Sequence, residues 1–139
     1  MSEIIKSKFI VVEHKAVRAG KHQDLRFRKP KGKLWDSFAV RKGVPLKPGV
    51  KVLAMKTHDH TEKDAVTTKE IKSGYGKGTY KKIDGGQCEI EKYTPSHIAV
   101  VFKGSKVKGL YHLVNAGVMR SKDNYKEQKW LLFKGKIQK

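Results

Sequence analysis

The residues of this chain that could do chemistry crowd into one stretch, His14 to Arg28. Within it, His22-Gln23-Asp24-Leu25-Arg26-Phe27-Arg28 alternates polar with apolar side chains. Successive side chains of a strand point to opposite faces. As a strand, this segment puts His22, Asp24 and Arg26 in one row and Leu25 and Phe27 in the other. The apolar row is core. The polar row offers an imidazole, a carboxylate and a guanidinium. His14 stands one short loop upstream (Val17 to Lys21, with Gly20) and can fold back beside them. Two imidazoles and a carboxylate can hold a divalent metal, and a neighbouring arginine can bind a phosphate attached to it. A plainer reading fits too. A half-buried strand with a wet outer face also reads His-x-Asp-x-Arg, with an Asp–Arg pair of small energetic consequence.

The elements that must position this row are short and β-rich. Lys8 to Glu13 is apolar and β-branched and reads as a strand; His22 to Arg28 follows it. Lys29-Pro30-Lys31-Gly32-Lys33 is a turn, and Leu34 to Arg41 returns as the second arm of a hairpin. Residues 42–49 form a loop with two prolines. Val50 to Thr57 is another strand, running into His58-Asp59-His60. Thr61 to Lys72 is loop or one helical turn. Gln87 to Tyr93, Ile98 to Lys103, Gly109 to Asn115 and Lys129 to Lys134 complete the strands, with Gly85-Gly86, Thr94-Pro95-Ser96 and Gly104-Ser105 between them. About eight short strands with turn signals and no long amphipathic helix predict an antiparallel sandwich or closed barrel. The fold expected is all-β, mainly antiparallel: one compact β-barrel-like domain over residues 1–139 with little helix.

His58 and His60 share a strand face, and Asp59 opposes them as a turn-capping residue. His97 reads as a loop residue and His112 as a surface or core histidine, neither with a role. The segment from Gly74 to Tyr80 is glycine-rich but fits neither a P-loop nor a dinucleotide fingerprint. It reads as a flexible turn or bulge.

The chain carries 32 Lys+Arg against 13 Asp+Glu, a net charge of +19. The lysines are spread along the whole chain, which suggests a surface for a polyanion, nucleic acid first. Cys88 is the single cysteine, so no internal disulfide or cysteine-rich zinc site is expected. The N-terminal apolar stretch is too short and too charged for a signal peptide, and no apolar run approaches membrane-spanning length. The default setting is reducing and cytoplasmic, with no membrane partner.

In order, Glu13-His14, His22-x-Asp24-x-Arg26, Ser37-Phe38-Ala39-Val40-Arg41-Lys42-Gly43, Leu53-Ala54-Met55, Asp59-His60 and Gly74-Tyr75-Gly76-Lys77-Gly78 run toward the C-terminus. There Phe102-x-Gly104-x-Lys106-x-x-Gly109-x-Tyr111-x-Leu113-Val114 precedes Trp130-Leu131-Leu132-x-Lys134. This order resembles the 3′-phosphoesterase module of bacterial DNA ligase D and its stand-alone archaeal relatives, from about Phe9 to Lys134.

The resemblance implies a β-barrel-like fold and a manganese-dependent hydrolase, other divalent metals being possible. Such modules trim DNA or RNA/DNA 3′ ends, removing a terminal ribonucleoside and then the 3′-phosphate to leave a 3′-OH for repair by end joining. It implies metal ligands at His14, His22 and Asp24, a phosphate-binding and catalytic arginine at Arg26, and a phosphate-contacting, catalytic histidine at His60. A separate DNA ligase or end-joining factor is the implied partner, and a monomer the expected state. Four features depart from the family, one being the run Phe38-Ala39-Val40-Arg41-Lys42-Gly43 in place of Trp-Ala-Val-Pro-Lys-Gly. His58 replaces an acidic residue, Asp64 replaces a tyrosine, and the loop between His14 and His22 is longer. His58 and Asp64 become accessory candidates, Asp64 as the orienter of a protonated imidazole. Tyr75 or Tyr80 could supply the missing hydroxyl.

Two other classes fit part of the sequence. A non-catalytic basic nucleic-acid-binding barrel explains the charge but not the His/His/Asp/Arg row. A two-His-one-carboxylate iron oxygenase explains the ligands but neither the charge nor Arg26.

Overall fold

Short apolar, β-branched or alternating segments separated by turns form eight strands. The structure is a computed structural model, described for residues 3–16, 20–66, 78–120 and 126–136. The strands are β1 (Ile5–Ala16), β2 (Gly20–Arg28), β3 (Trp35–Val40), β4 (Lys51–His60), β5 (Gly78–Tyr93), β6 (His97–Lys103), β7 (Lys108–Arg120) and β8 (Lys126–Lys134). One short helix, α1 (Glu62–Ala65), follows β4. The strands close into a barrel in the order β1-β2-β3-β4-β8-β7-β6-β5, with antiparallel neighbours throughout. Closure removes the exposed edge that an open sheet would offer for aggregation. The expected all-β, antiparallel barrel is the observed fold.

One row of each strand fills the barrel. Val11, Leu25, Phe27, Phe38, Ala54, Val100, Phe102, Tyr111 and Leu132 are among the side chains of this core. Phe102 lies at its middle, with ring centroids 4.6 Å from Phe9 and 5.4 Å from Tyr111. Burying each such side chain is worth roughly 1.5–3 kcal/mol. A second, smaller cluster sits outside the barrel wall, where Ile10, Val12, Trp35 and Ala65 pack together with Tyr80 against them. β1 is therefore apolar on both faces, and its run Phe9-Ile10-Val11-Val12 does not alternate.

Several boundaries differ from the sequence reading. β1 extends through His14, so His14 does not fold back from a loop; it stands in the strand directly opposite His22. Gly20 and Lys21 belong to β2 rather than to the connecting loop, since they pair with Ala16 and Lys15. Gly85-Gly86 is not a separator between strands, because β5 continues through both, pairing them with Ile10 and Phe9 of β1. β7 runs past Asn115 to Arg120, because β8 is extended to match it across a register shift between Asn115 and Gly117.

One buried carboxylate ties β5 to the connection between β6 and β7. Asp84 accepts hydrogen bonds from the backbone N–H groups of Gly85, Ser105, Lys106 and Val107, at 2.7–3.0 Å. Burial alone would raise its pKa, but these N–H donors, from Val107 first, outweigh burial and hold it below the usual carboxylate value.

Candidate active site

The pairing of β1 with β2 sets His14 beside His22, and strand periodicity sets Asp24 and Arg26 next along the same outward face. That face is covered by α1 and the outer apolar cluster. His14, Asp24 and Arg26 are only 6%, 5% and 3% exposed, so the polar row is not a solvated strand face. Asp24 Oδ1 lies 3.0 Å from His22 Nε2. Its other oxygen lies 4.0 Å from His14 Nδ1 and accepts from Arg26 Nη2 at 3.0 Å. One donor atom from each of His14, His22 and Asp24 falls within 4.8 Å of the others. Two imidazoles and a carboxylate converging at that spacing fit a three-ligand divalent site with room for water or substrate.

Tyr80 of β5 completes the wall. It pairs with His14 across β1 and β5, and its ring stacks on the imidazole at 4.0 Å and 15°. Such a contact fixes the plane of a ligand ring. Burial, then the Asp24 charge, raises the Tyr80 pKa, so its hydroxyl stays protonated at neutral pH.

Arg26 is bound mostly to protein. Nη1 donates to the carbonyl oxygens of Ala65 at 2.9 Å and Asp64 at 3.3 Å. A cation at these carbonyls satisfies acceptors that the end of a helix leaves open. Nε is buried without a hydrogen-bond partner among the described residues, as is Ser37 Oγ on the paired position of β3. The guanidinium thus joins the carboxylate of Asp24 to the backbone of α1, a link that residue spacing alone does not show. A sequence signal for α1 exists. Thr61 precedes Glu62-Lys63-Asp64, and its hydroxyl accepts from Asp64 N at 3.3 Å as an N-cap.

His60 ends β4 opposite Trp35 and is half-buried beside this row. Burial, then the charges of Arg26 and His58, lowers its pKa to about 4, although Asp24 and Asp64 pull the other way. In the free protein it is a neutral imidazole. His58 packs on it with ring centroids 4.5 Å apart. Asp64 is exposed. Asp59 is not a turn cap, because its carboxylate meets Lys56 at 2.9 Å and Lys29 at 3.1 Å. The same lysines approach buried Asp36, which also accepts from Tyr93 Oη at 2.6 Å. Anchoring Asp59 in this network turns its neighbours His58 and His60 to the opposite side of β4.

The structure therefore brings together His14, His22, Asp24, Arg26 and Tyr80, with His60 and His58 at the border. Tyr75, and the glycine-rich stretch up to Lys77, lie outside the described residues. His97 begins β6 rather than lying in a loop, and its Nε2 is 2.8 Å from His112 Nδ1, well away from this row in the fold. Among the described residues no helix is long and apolar enough to cross a membrane.

A search of curated proteins finds no match to the chain. The family model of the DNA ligase D 3′-phosphoesterase domain matches residues 12–115, a span that includes His14, His22, Asp24, Arg26, His58, His60, Asp64, Tyr75 and Tyr80. With most of its 139 residues inside that match, the chain belongs to the DNA ligase D 3′-phosphoesterase domain family.

Proposed function

We propose that this protein is a metal-dependent enzyme that processes DNA 3′ ends, removing a terminal ribonucleoside and the 3′-phosphate to leave a 3′-OH. The observation that carries this reading is the convergence of His14, His22 and Asp24 within 4.8 Å beside Arg26. These three would hold a divalent ion, manganese by the family resemblance. Such an ion supplies a Lewis acid and acidifies a bound water.

The chain's own groups do the rest. His22 and Arg26 hold the two oxygens of Asp24 in place, and Tyr80 holds the plane of His14. Arg26 Nε is a buried donor without a partner among the described residues, and a phosphate oxygen is an acceptor that would satisfy it. His60 enters as a neutral imidazole with one donor and one acceptor nitrogen. A phosphate dianion beside it would raise its pKa, so protonation, and donation to the leaving oxygen, would follow substrate binding. Asp64 meets Arg26 through its backbone oxygen, so its side chain keeps only an electrostatic influence on His60. The product 3′-OH is the end a DNA ligase consumes, which makes a separate ligase or end-joining factor the expected partner of a monomeric enzyme.

The direct test uses labelled duplexes ending in a 3′-ribonucleotide or a 3′-phosphate, incubated with Mn²⁺ or with chelator. Stepwise conversion to a 3′-OH product with Mn²⁺ alone is expected. Turnover that persists in chelator, or none with any divalent ion, would overturn the reading.

A further inference from the structure

Away from the His14–Arg26 row, the outer surface of β1 and β5 changes from a covered apolar patch to cations. Lys6, Lys8, Arg28 and Lys103 line a cleft there, together with Ser7 and Glu89. Of these cations only Lys103 has a carboxylate partner among the described residues, Glu89 at 3.1 Å. Four cations thus face one carboxylate in the cleft.

The surface between this cleft and Tyr80 is low. Gly85 pairs with Ile10, whose side chain lies in the outer cluster, so Gly85 presents bare backbone outward. The side chain of Lys82 lies across it, its Cε 3.1 Å from where a Cβ would stand. Tyr80, Lys82, Gly85 and Gln87 therefore follow one another along β5, from the site to the cleft.

We infer that this row is the track of the strand whose 3′ end enters the site, its phosphodiester backbone passing over Lys82 and Gly85 to Lys6, Lys8 and Arg28. The inference rests on the 3′-phosphoesterase reading of the site. Lys8 stands on β1 with His14 at the other end, a run of about 20 Å at roughly 3.3 Å per residue. One strand of a duplex presents a phosphate per about 3.4 Å of helix axis, and a single strand followed along its own backbone is more extended than that, so the cleft meets the backbone several nucleotides from the end, about six at most. Lysines are scattered over the whole molecule, but this set is concave, largely unpaired and continuous with the site. Contacts of this kind position a nucleic acid without reading its sequence.

The test measures binding of fluorescent single strands in chelator, which prevents turnover. Strands of 3 and 12 nucleotides end in a 3′-phosphate, and a third of 12 ends in a 3′-OH. The full chain is compared with the triple variant Lys6→Gln/Lys8→Gln/Arg28→Gln, and with the control Lys47→Gln/Lys51→Gln/Lys129→Gln on the far side of the barrel. The wild type should bind the 12-mers more tightly than the 3-mer. The cleft variant should lose most of that gain, about tenfold, and its slope of log Kd against log salt should be shallower by about 2. The control should weaken all strands alike. Equal loss of the length gain in both variants, or none in the cleft variant, would overturn the track. Displacement by polyglutamate as readily as by unlabelled strand would assign the cleft to acidic polypeptides instead. If the length gain holds on the 3′-OH strand while Mn²⁺ supports no turnover of any 3′ end, the fault lies in the proposed activity and the nucleic-acid track stands.

Discussion

His22 and Asp24 stand two residues apart on one strand, with His14 across the ladder. Removing one imidazole leaves two donors, too few for a firm divalent site. His22→Ala should therefore abolish Mn²⁺-dependent phosphate release and weaken Mn²⁺ binding at least 100-fold, with an unchanged far-UV circular dichroism spectrum. Normal turnover by this variant would end the assignment. Arg26→Lys tests a different point. Three hydrogen bonds of the guanidinium, to Asp24, Asp64 and Ala65, have a forked geometry that an ammonium cannot reproduce. Because one of them holds Asp24, metal affinity should fall roughly tenfold along with kcat/KM, as isothermal titration would register; a catalytic loss with metal affinity untouched would confine Arg26 to the phosphate. The polar row itself is readable from the sequence, since period-two alternation defines which side chains share a face. Its burial is not, because the cover comes from Trp35, Ala65 and Tyr80, which approach from other elements. Asp59 escapes a sequence reading for a related reason: its partners, Lys29 and Lys56, come from a distant turn and from the same strand's inner face.

Elements hold their places here through a few polar anchors, and the family-like glycines make sense beside them. Gly104 stands where a Cβ would run into the Asp84 carboxylate and come within 2.8 Å of Phe9 Cζ. Gly104→Ala must therefore displace either the carboxylate or a core ring. It should cost about 2–4 kcal/mol, measured by urea unfolding, and Asp84→Ala should cost a similar amount by orphaning its backbone donors. An unshifted urea midpoint in both variants would show that the staple is not needed. This role is invisible in the sequence, where Gly104 looks like a loop separator and nothing singles out Asp84. The His97–His112 contact joins β6 to β7 and makes a pH prediction. Burial, followed by His112, lowers the pKa of His97, and burial lowers that of His112 despite Glu91. The unfolded chain then binds more protons than the folded one as pH falls below the ordinary value of 6.5. The pair's contribution is full above that value and is lost on acidification. Wild-type thermal stability should drop between pH 7.5 and 5, and the double variant His97→Gln/His112→Gln should show a flatter profile. Identical slopes for the two proteins would rule the pair out as the source.

At the scale of the whole molecule, about eight short strand-like segments and their turns make an antiparallel sandwich or barrel legible in the residues, and the family resemblance favours the barrel that the strand order closes. Strand lengths are less legible: β5 crosses Gly85-Gly86 because β1 supplies partners for both glycines, a long-range fact. The charge is likewise a property of the whole, +19 over 139 residues. A barrel this small cannot hide that charge, so it surrounds the active site with positive potential and attracts any polyanion. Two consequences separate attraction from recognition. Binding of a 12-nucleotide strand should weaken steeply with salt, with a log–log slope of at least about 3, since each phosphate contact on a single strand contributes about 0.7. Scrambling the base sequence should leave the affinity within about twofold, because cations meet phosphates and not base edges. On the proposed function, the 3′ terminus is the remaining source of selectivity, acting through the His14–Arg26 row. On that account kcat should depend on the 3′ group and hardly on salt, while KM should carry nearly all of the salt dependence. Steady-state rates at 50 and 200 mM salt, on strands with identical termini and different lengths, measure both at once. A kcat that falls with salt as fast as binding does would mean that the surface charge takes part in the chemical step, and the division between a sequence-blind surface and a terminus-reading site would have to be abandoned.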